Sequence, residues 1–547
     1  MSSAHVDVSE FFRTCSIRDL HWFADACAEY FIKLEEKTVD AFAITSKKLI
    51  INRDERTISF PEAGSGSSTS IDTFKVLITC LLNFAAWDDK VQIAKQSRIR
   101  CRNTTLAALD LIYNKLAQDQ WTAHWVSLAR EHQSNILSIQ TQKTSDIISQ
   151  SISKLAISSQ FLSTVHTRSP LVTTNIVKPK QPVTLVIPSA GRSSRFPGHK
   201  PKWLLTQPNG RLMLVDAIGG LDLGNVTRVV VGVLQEHVNL HCGGEPESIL
   251  AAFADGPTQL QSIEIVLVVI EKETIDHVQT IERILEAAKI SGPIFLKDCD
   301  NQFACRVEAT NGVATLEITK DVLSISIPAG KSYVSLTSSG VITNIVEKVI
   351  LSNTFCVGGY SFASAEKFKL HTQKCREYQS LTSSTDTELA VSDIIWLQML
   401  TASEPFVSIP VSGYEDWGTL SAWLDYTRTF KTLFCDIDGT LLKNSGQYFV
   451  PRWGTQPALA ENVAHLKKLH ERGRTQLILT TTRPESFRET TEKQLKEARI
   501  PYDKLVLGLW HGQRVVINDY AKTDPFPSAL AVNLKRNADD LKEHLEY

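Results

Sequence analysis

Two carboxylates one residue apart, Asp436 and Asp438, close an apolar run in the segment FCDIDGTL at 434–441. Carboxylates gathered at a strand end suit a hard cation such as magnesium, which prefers oxygen ligands. One of them can also attack phosphorus, and the other can carry a proton to the leaving group. Gly439 permits a tight turn that a Cβ would obstruct. An acidic turn of the calcium-loop kind is the bland alternative. A second set of groups lies upstream, where the loop IPSAGRSSRF at 187–196 precedes HKPKWLL at 199–205. Its small residues let the backbone of Ser189, Ala190, Gly191, Arg192, Ser193 and Ser194 approach phosphate oxygens. Arg195 can neutralise a triphosphate, and Lys202 can reach a phosphate of a second substrate. A Gly/Ser loop by itself looks like any turn, so the two placed cations carry this reading.

The elements that position these groups differ along the chain. Residues 1–171 are mainly helical in pattern. Thr73–Trp87 and Thr104–Leu116 carry apolar residues at three- and four-residue spacing. Leu49–Ile51 and Thr57–Phe60 read as a small hairpin, and AGSGSSTS at 63–70 reads as a loop. Trp121 and Trp125 fall on one helical face, where packing is the simple reading. Scaffold or homo-oligomer formation is the expected role of this region. Residues 172–182 are rich in proline and read as a linker. From Val183 the pattern alternates: strands at Val183–Ile187, Arg228–Leu234, Ile263–Ile270 and Pro293–Leu296, with a helix at Ile275–Ala288. That alternation predicts a doubly wound α/β domain over 183–428 with a mixed, mostly parallel sheet, whose ligands bind at the carboxyl ends of the strands. Residues 429–547 read as a smaller Rossmann-like α/β domain. Its strands are expected at Lys431–Cys435, Thr475–Leu479 and Val515–Ile517, and its helices at Glu461–Glu471 and Glu485–Ala498.

The aspartate motif resembles the first motif, DxDGT, of the haloacid-dehalogenase (HAD) superfamily, over roughly Lys431 to the C-terminus. The resemblance implies Asp436 as a nucleophile that becomes an aspartyl phosphate and Asp438 as general acid/base. The second motif looks like Thr481 in LILTTTRP at 477–484, with Thr480 as the close alternative. The last looks like Asp519 in VVINDY at 515–520, which would complete a magnesium site with Asp436 and Asp438. The family usually places a lysine before that last motif, and VLGLWHGQ at 506–513 has none. Lys504, Arg514 and Arg483 are the possible substitutes. The short intervals between motifs leave no room for a large cap domain.

The upstream motif resembles the sugar-nucleotidyltransferase signature GxGxRx…PKxLL, with Ser189 in place of its first glycine. Further segments follow in family order. KDCDN at 297–301 looks like the acidic metal motif, with Asp300 the implied magnesium ligand and Asp298 assisting. Glu347 and Lys348 look like the pair that contacts the sugar phosphate, and VGGYSF at 357–362 like the strand after it. YEDWGT at 414–419 looks like a second metal motif, with Asp416 the implied ligand. Each has a plain alternative, Glu347 and Lys348 as a surface pair or Asp416 as a turn residue. Thr385–Glu388 reads as a capping box for a helix ending near Leu400.

The two resemblances together imply a bifunctional enzyme with two independent magnesium sites. One half would join a nucleoside triphosphate, with CTP slightly preferred, to a sugar or polyol phosphate. The other would hydrolyse a phosphate monoester, in the setting of surface-glycan (capsule) precursor synthesis. The alternatives are a transferase with a silent regulatory HAD domain, and a non-enzymatic scaffold. The bulk composition excludes some partners. With 547 residues the chain is too long for one core, so several domains are expected. A net charge of −2 and a pI near 6.7 give no electrostatic reason to expect nucleic acid or an anionic membrane. Ten cysteines without a CxxC pair read as reduced thiols, and the start MSSAHVDVSEFF lacks the pattern of a secretory signal. The most apolar stretch, Val76–Trp87, is too short to span a bilayer. These observations predict a cytoplasmic protein.

Overall fold

The computed structural model describes residues 5–6, 11–12, 15–35, 50–52, 57–59, 104–114, 163–169, 181–319, 330–380, 388–402, 404–446, 448, 451–519 and 529–545. The helix expected over Thr73–Trp87, the loop 63–70, Trp121, Trp125, most of the expected linker and Thr385 lie outside the described residues. Among the described residues no helix is long and apolar enough to cross a membrane. The chain divides into two compact units. The first comprises residues 1–194, 200–206 and 211–416, and the second 195–199, 207–210 and 417–547.

Strands are numbered along the chain. In the first unit β1 (His5–Val6), β2 (Ile50–Asn52) and β3 (Thr57–Ser59) form a small antiparallel sheet. Its β2–β3 pair is the expected hairpin, with Ile51 opposite Ile58. The main sheet holds ten strands and is mixed. Its centre is parallel: β5 (Val183–Pro188) lies between β7 (Val226–Leu234) and β9 (Ile294–Lys297), and β8 (Glu264–Ile270) follows β7. These strands read as nearly unbroken apolar runs because both faces are covered, and most of their residues are buried. The helix His277–Ala287 covers one face with Val278, Ile281, Ile284 and Leu285. It starts at Asp276, whose Oδ1 accepts from the Gln279 N–H at 2.7 Å. Gly232 in β7 lets it approach: an added Cβ there would stand 2.3 Å from Ile284 Cδ1.

Further strands, mostly in antiparallel pairs, extend this centre on both sides. β4 (Ser163–Arg168), read from sequence as part of the helical N-terminal region, pairs with β8. On the other side β14 (Thr354–Phe362) pairs with β9, and β12 (Ser332–Leu336), β13 (Ile342–Glu347), β11 (Gly312–Glu317) and β15 (Val407–Pro410) build outward from it, with β15 pairing in parallel. A separate small sheet joins β6 (Leu221–Asp222), β10 (Asn301–Arg306) and β16 (Ser412–Asp416).

The described N-terminal helices share a core with the rest of the first unit. Phe11, Phe12, Phe23, Leu109 and Ile112 are fully or almost fully buried in one continuous core with Val391, Ile394, Ile395 and Trp396 of the helix Val391–Ala402. The Tyr378 hydroxyl donates to Asp110 across the same junction. Burying each large apolar side chain contributes roughly 1.5–3 kcal/mol, and a whole domain retains only about 5–15 kcal/mol. Deleting residues 1–170 therefore unfolds the first unit. The expected result is aggregation, or loss of the cooperative thermal transition, on heating the truncated chain. A truncated protein with the full-length transition would contradict the shared core.

In the second unit β17 (Lys431–Asp436), β18 (Thr475–Thr480) and β19 (Lys504–Val506) form a parallel sheet in that order. Its described helices are Leu420–Arg428, Ala460–Glu471, Arg488–Glu497, preceded by a 3-10 turn at Glu485–Phe487, and the short Leu541–His544. One expectation fails here. Val515–Ile517 is not a strand, and its three residues are 72%, 63% and 89% exposed. β-branched composition favours a strand only where a partner edge and a covered face exist. The third strand comes instead from Lys504–Val506, a segment with only two apolar residues.

Candidate active sites

In the first unit β5 ends at Pro188 and is followed by Ser189 and Ala190, both buried. The Ser189 N–H donates to the Gly232 carbonyl at 2.8 Å, so this amide serves the sheet rather than a phosphate. Gly191, Arg192 and Ser194 are exposed. Ser193 adopts a left-handed backbone (φ 52°), and its Oγ accepts from the Lys202 N–H at 3.0 Å. That bond fixes the loop to the start of the short turn Lys202–Leu204. Arg192 is paired with Glu273. Arg195 is exposed and lies in the segment 195–199 of the second unit.

The two implied metal ligands of the first unit come together through strand register. β9 ends at Lys297 and β10 begins at Asn301, which leaves Asp300 on the connecting turn. Asn301 stands opposite Asp416 in the antiparallel β10–β16 pair. Asp300 therefore lies one residue from the partner of Asp416, although the two are far apart in the chain. Each holds a lysine. Lys202 Nζ lies 2.6 Å from Asp300 Oδ2, and Lys331 Nζ lies 2.8 Å from Asp416 Oδ2. Burial alone would raise the Asp300 pKa. The charge and hydrogen bond of Lys202, with Lys331 and Lys297 behind, outweigh it and hold the carboxyl well below its usual range. Burial likewise opposes the charge on Lys202 and Lys331, and their acidic partners reverse the effect and hold both above the usual lysine range.

Lys297 supports the turn from below. It is fully buried, and its Nζ donates to the Asp298 carbonyl (2.7 Å), the Asn301 carbonyl (2.8 Å) and Asn301 Oδ1 (2.6 Å). Burial pushes its pKa down to about 8, against the pull of Asp298 and Asp300. Among the described residues no lysine is paired with the Asp298 side chain. Its carboxyl packs on Gly358, where φ is +83° and an added Cβ would meet Asp298 Oδ2 at 2.3 Å. Burial raises the Asp298 pKa, and His277, with Nε2 3.9 Å from Oδ1, opposes the rise.

Glu347 ends β13 and accepts hydrogen bonds from the hydroxyls of Ser332 and Ser392. Lys348 follows in an exposed left-handed position (φ 56°), and its N–H donates to the Lys331 carbonyl at 3.0 Å. The pair singled out from sequence thus adjoins Lys331, which sequence reasoning missed. Nothing local marks Lys331, because only the β12–β13 register, with Ser332 opposite Glu347, places it there.

Among the described residues no three His, Cys, Asp or Glu side chains gather as a metal site. Two neighbouring carboxylates nevertheless suit magnesium, which commonly takes one or two protein carboxylates and completes its shell with water and substrate phosphates. The donor set of Asp300 and Asp416 fits that mode of binding.

In the second unit β17 delivers Asp436 to the sheet end, and Gly439 (φ +94°) turns the chain behind Asp438. The three proposed substitutes for the missing lysine separate clearly. Arg514 Nη2 lies 3.0 Å from Asp436 Oδ1. Arg483 is wholly buried and grips Asp438, with Nη2 2.8 Å from Oδ1 and Nε 2.9 Å from Oδ2. Its other nitrogen donates to Thr491 Oγ1 (3.2 Å) and Gln494 Oε1 (2.9 Å). Lys504 is exposed and sits opposite Ile478 at the start of β19, before the strand ends that carry the motif. The Thr481 hydroxyl donates to Asp438 Oδ2 at 2.9 Å, whereas that of Thr480 reaches the Cys435 carbonyl at 3.4 Å. Asp436 is pushed up to about 6, chiefly by burial, with Arg514 opposing and Asp438 adding to the rise. Asp519 is exposed and, contrary to the sequence reading, follows no strand.

No family model and no curated protein matches the chain. Several solved structures are similar to part of it. A nucleoside-diphosphate-sugar pyrophosphorylase from Vibrio cholerae RC9 is 18% identical, with 45% of this chain and 99% of that one covered at a TM-score of 0.36. The inositol-1-phosphate CTP transferase from T. maritima is 14% identical, with 45% and 93% covered at a TM-score of 0.33. A structural-genomics target from Vibrio cholerae is 19% identical over 16% of this chain and 80% of that one, at a TM-score of 0.14.

Proposed function

We propose that the first unit transfers a nucleotidyl group from a nucleoside triphosphate to a sugar or polyol phosphate, releasing pyrophosphate. The observation that supports this reading is the pairing of Asp416 with Asn301, the residue next to Asp300, together with a lysine on each carboxylate, Lys202 on Asp300 and Lys331 on Asp416. Two carboxylates for a metal and two ammonium groups for phosphates are the parts that phosphoryl chemistry of this kind requires. A phosphate oxygen of the acceptor attacks the α-phosphorus. The bond from that phosphorus to the bridging oxygen breaks, and pyrophosphate leaves with the electron pair. The acceptor is already an anion, so no base is needed. Magnesium, when bound, offsets charge on the phosphates. Lys202 and Lys348 hold the acceptor phosphate, and the loop around Ser193 is the nucleotide side. CTP is the preferred triphosphate, in the setting of surface-glycan precursors. A pyrophosphate-release screen crossing four triphosphates with sugar and polyol phosphates tests the proposal. Release with at least one pair is expected, and silence across the panel ends it.

For the second unit we propose binding of a phosphate monoester between Asp436 and Arg514, with hydrolysis through an aspartyl phosphate on Asp436. A second reading, in which the unit binds a phosphorylated metabolite and regulates, is favoured by the grip of Arg483 on Asp438. Both oxygens of that carboxylate are engaged by the guanidinium, which leaves them less available to shuttle a proton to a leaving group. Asp436→Asn compared with wild type on the same sugar-phosphate panel separates the two. Phosphate release lost in the variant supports hydrolysis, and equal near-zero release supports regulation.

A further inference from the structure

Lys331 belongs to none of the segments that marked the site from sequence. Its Nζ lies 2.8 Å from Asp416 Oδ2 and 5.8 Å from the Tyr414 ring centroid. Lys202 stands in the same relation to Asp300, at 2.6 Å. Each carboxylate suited to a metal is thus occupied by one ammonium, and without substrate the four charges balance. The balance changes when substrates arrive. A triphosphate and an acceptor phosphate together bring more negative charge than one magnesium ion offsets, so free ammonium groups are then required. A carboxylate oxygen engaged by an ammonium is also less available to a hard cation.

We infer that Lys331 is a further acceptor-phosphate ligand, stored on Asp416 until Asp416 turns to the metal. The inference rests on the nucleotidyl-transfer reading above. Three features support it. The Lys331 side chain is partly exposed, at 22%. Lysine is a flexible point charge that can change partners without a fixed fork geometry. The Lys348 N–H donates to the Lys331 carbonyl at 3.0 Å, so the two lysines leave adjoining backbone and can converge on one phosphate. The competing idea is a purely structural ion pair that ties β12 to β16 and never opens.

The two ideas differ in how magnesium binds without nucleotide. Calorimetric titration of magnesium into the nucleotide-free protein compares wild type with Lys331→Met and Lys331→Arg. Removing the competing ammonium should tighten magnesium binding by about fivefold, the scale of one partly exposed ion pair. Lys331→Arg should stay near wild type. In an Asp416→Asn background the Lys331→Met effect should vanish. In initial-rate assays the KM for the acceptor phosphate should rise by about ten- to a hundredfold in Lys331→Met, the range of one lost charged hydrogen bond, with the KM for the triphosphate unchanged. Unchanged or weaker magnesium binding in Lys331→Met, or an unmoved acceptor KM, overturns the inference. Thermal unfolding checks each variant. Should the methionine variant not fold, Lys331→Gln, which keeps a donor to Asp416 without the charge, provides the same readouts. Failure of the transfer reading shows in the wild type, as no turnover with any pair, whereas failure of this inference shows in the variants while the wild type turns over.

Discussion

On the transfer reading, replacing Asp300 with alanine is expected to lower pyrophosphate release by about a thousandfold, while any phosphate release from the second unit stays at its wild-type level. The loss has two sources. The variant removes one of the two neighbouring carboxylates suited to the metal. It also frees Lys202, whose ammonium lies 2.6 Å from Asp300 and is held charged by it. A freed Lys202 reaches for another anion and leaves the acceptor phosphate without a fixed cation. Asp300→Asn separates the two sources, since an amide keeps a hydrogen-bond acceptor for Lys202 but is a poorer metal ligand. Lys297 keeps its three acceptors in both variants, because they belong to Asp298 and Asn301. The turn itself should therefore survive. Pyrophosphate and phosphate assays on the same folded preparation check the result. Loss of both activities together contradicts two independent sites.

Replacing Arg483 with alanine costs the second unit about 3–5 kcal/mol, because it leaves the carboxylate of Asp438 partly buried without its partner. Asp438 is only 11% exposed through its side chain, and Arg483 is wholly buried. Thr491 and Gln494 lose a donor at the same time, which adds unsatisfied acceptors beside the cavity. Set against the roughly 5–15 kcal/mol that an ordinary domain holds, the loss brings this unit close to unfolding at room temperature. Urea unfolding followed by two probes, one in each unit, measures it. The transition of the second unit should move to lower urea, and that of the first should not. The double variant Arg483→Met with Asp438→Leu should recover much of the loss, since apolar groups of similar size often replace a buried ion pair without penalty. A transition of the second unit that does not move in Arg483→Ala contradicts the account of Asp438.

Much of this was legible in the residues because the determining features are local. The parallel strands Val183–Pro188, Val226–Leu234 and Glu264–Ile270 are long aliphatic runs, and such runs have few alternatives to a doubly covered sheet. Asp436, Gly439 and Asp438 declare themselves by spacing, since a strand end, a tight turn and two carboxylates fit within four residues. The failures have a common cause. Val515–Ile517 looks like a strand by composition, yet pairing needs an edge to meet, and composition cannot supply one. Lys504–Val506 is too short to stand out by pattern and pairs because β18 offers its edge.

Sequence alone therefore singled out candidate residues for chemistry and determined which runs form the central strands, because side-chain type and short-range periodicity mark both. Tertiary structure alone decided who partners whom. The pairing of Asn301 with Asp416, the place of Lys331 on Asp416, and the choice of Arg514 for Asp436 and Arg483 for Asp438 all span long stretches of chain. Such choices depend on strand register and on which charge is buried beside which, and neither leaves a trace in local spacing.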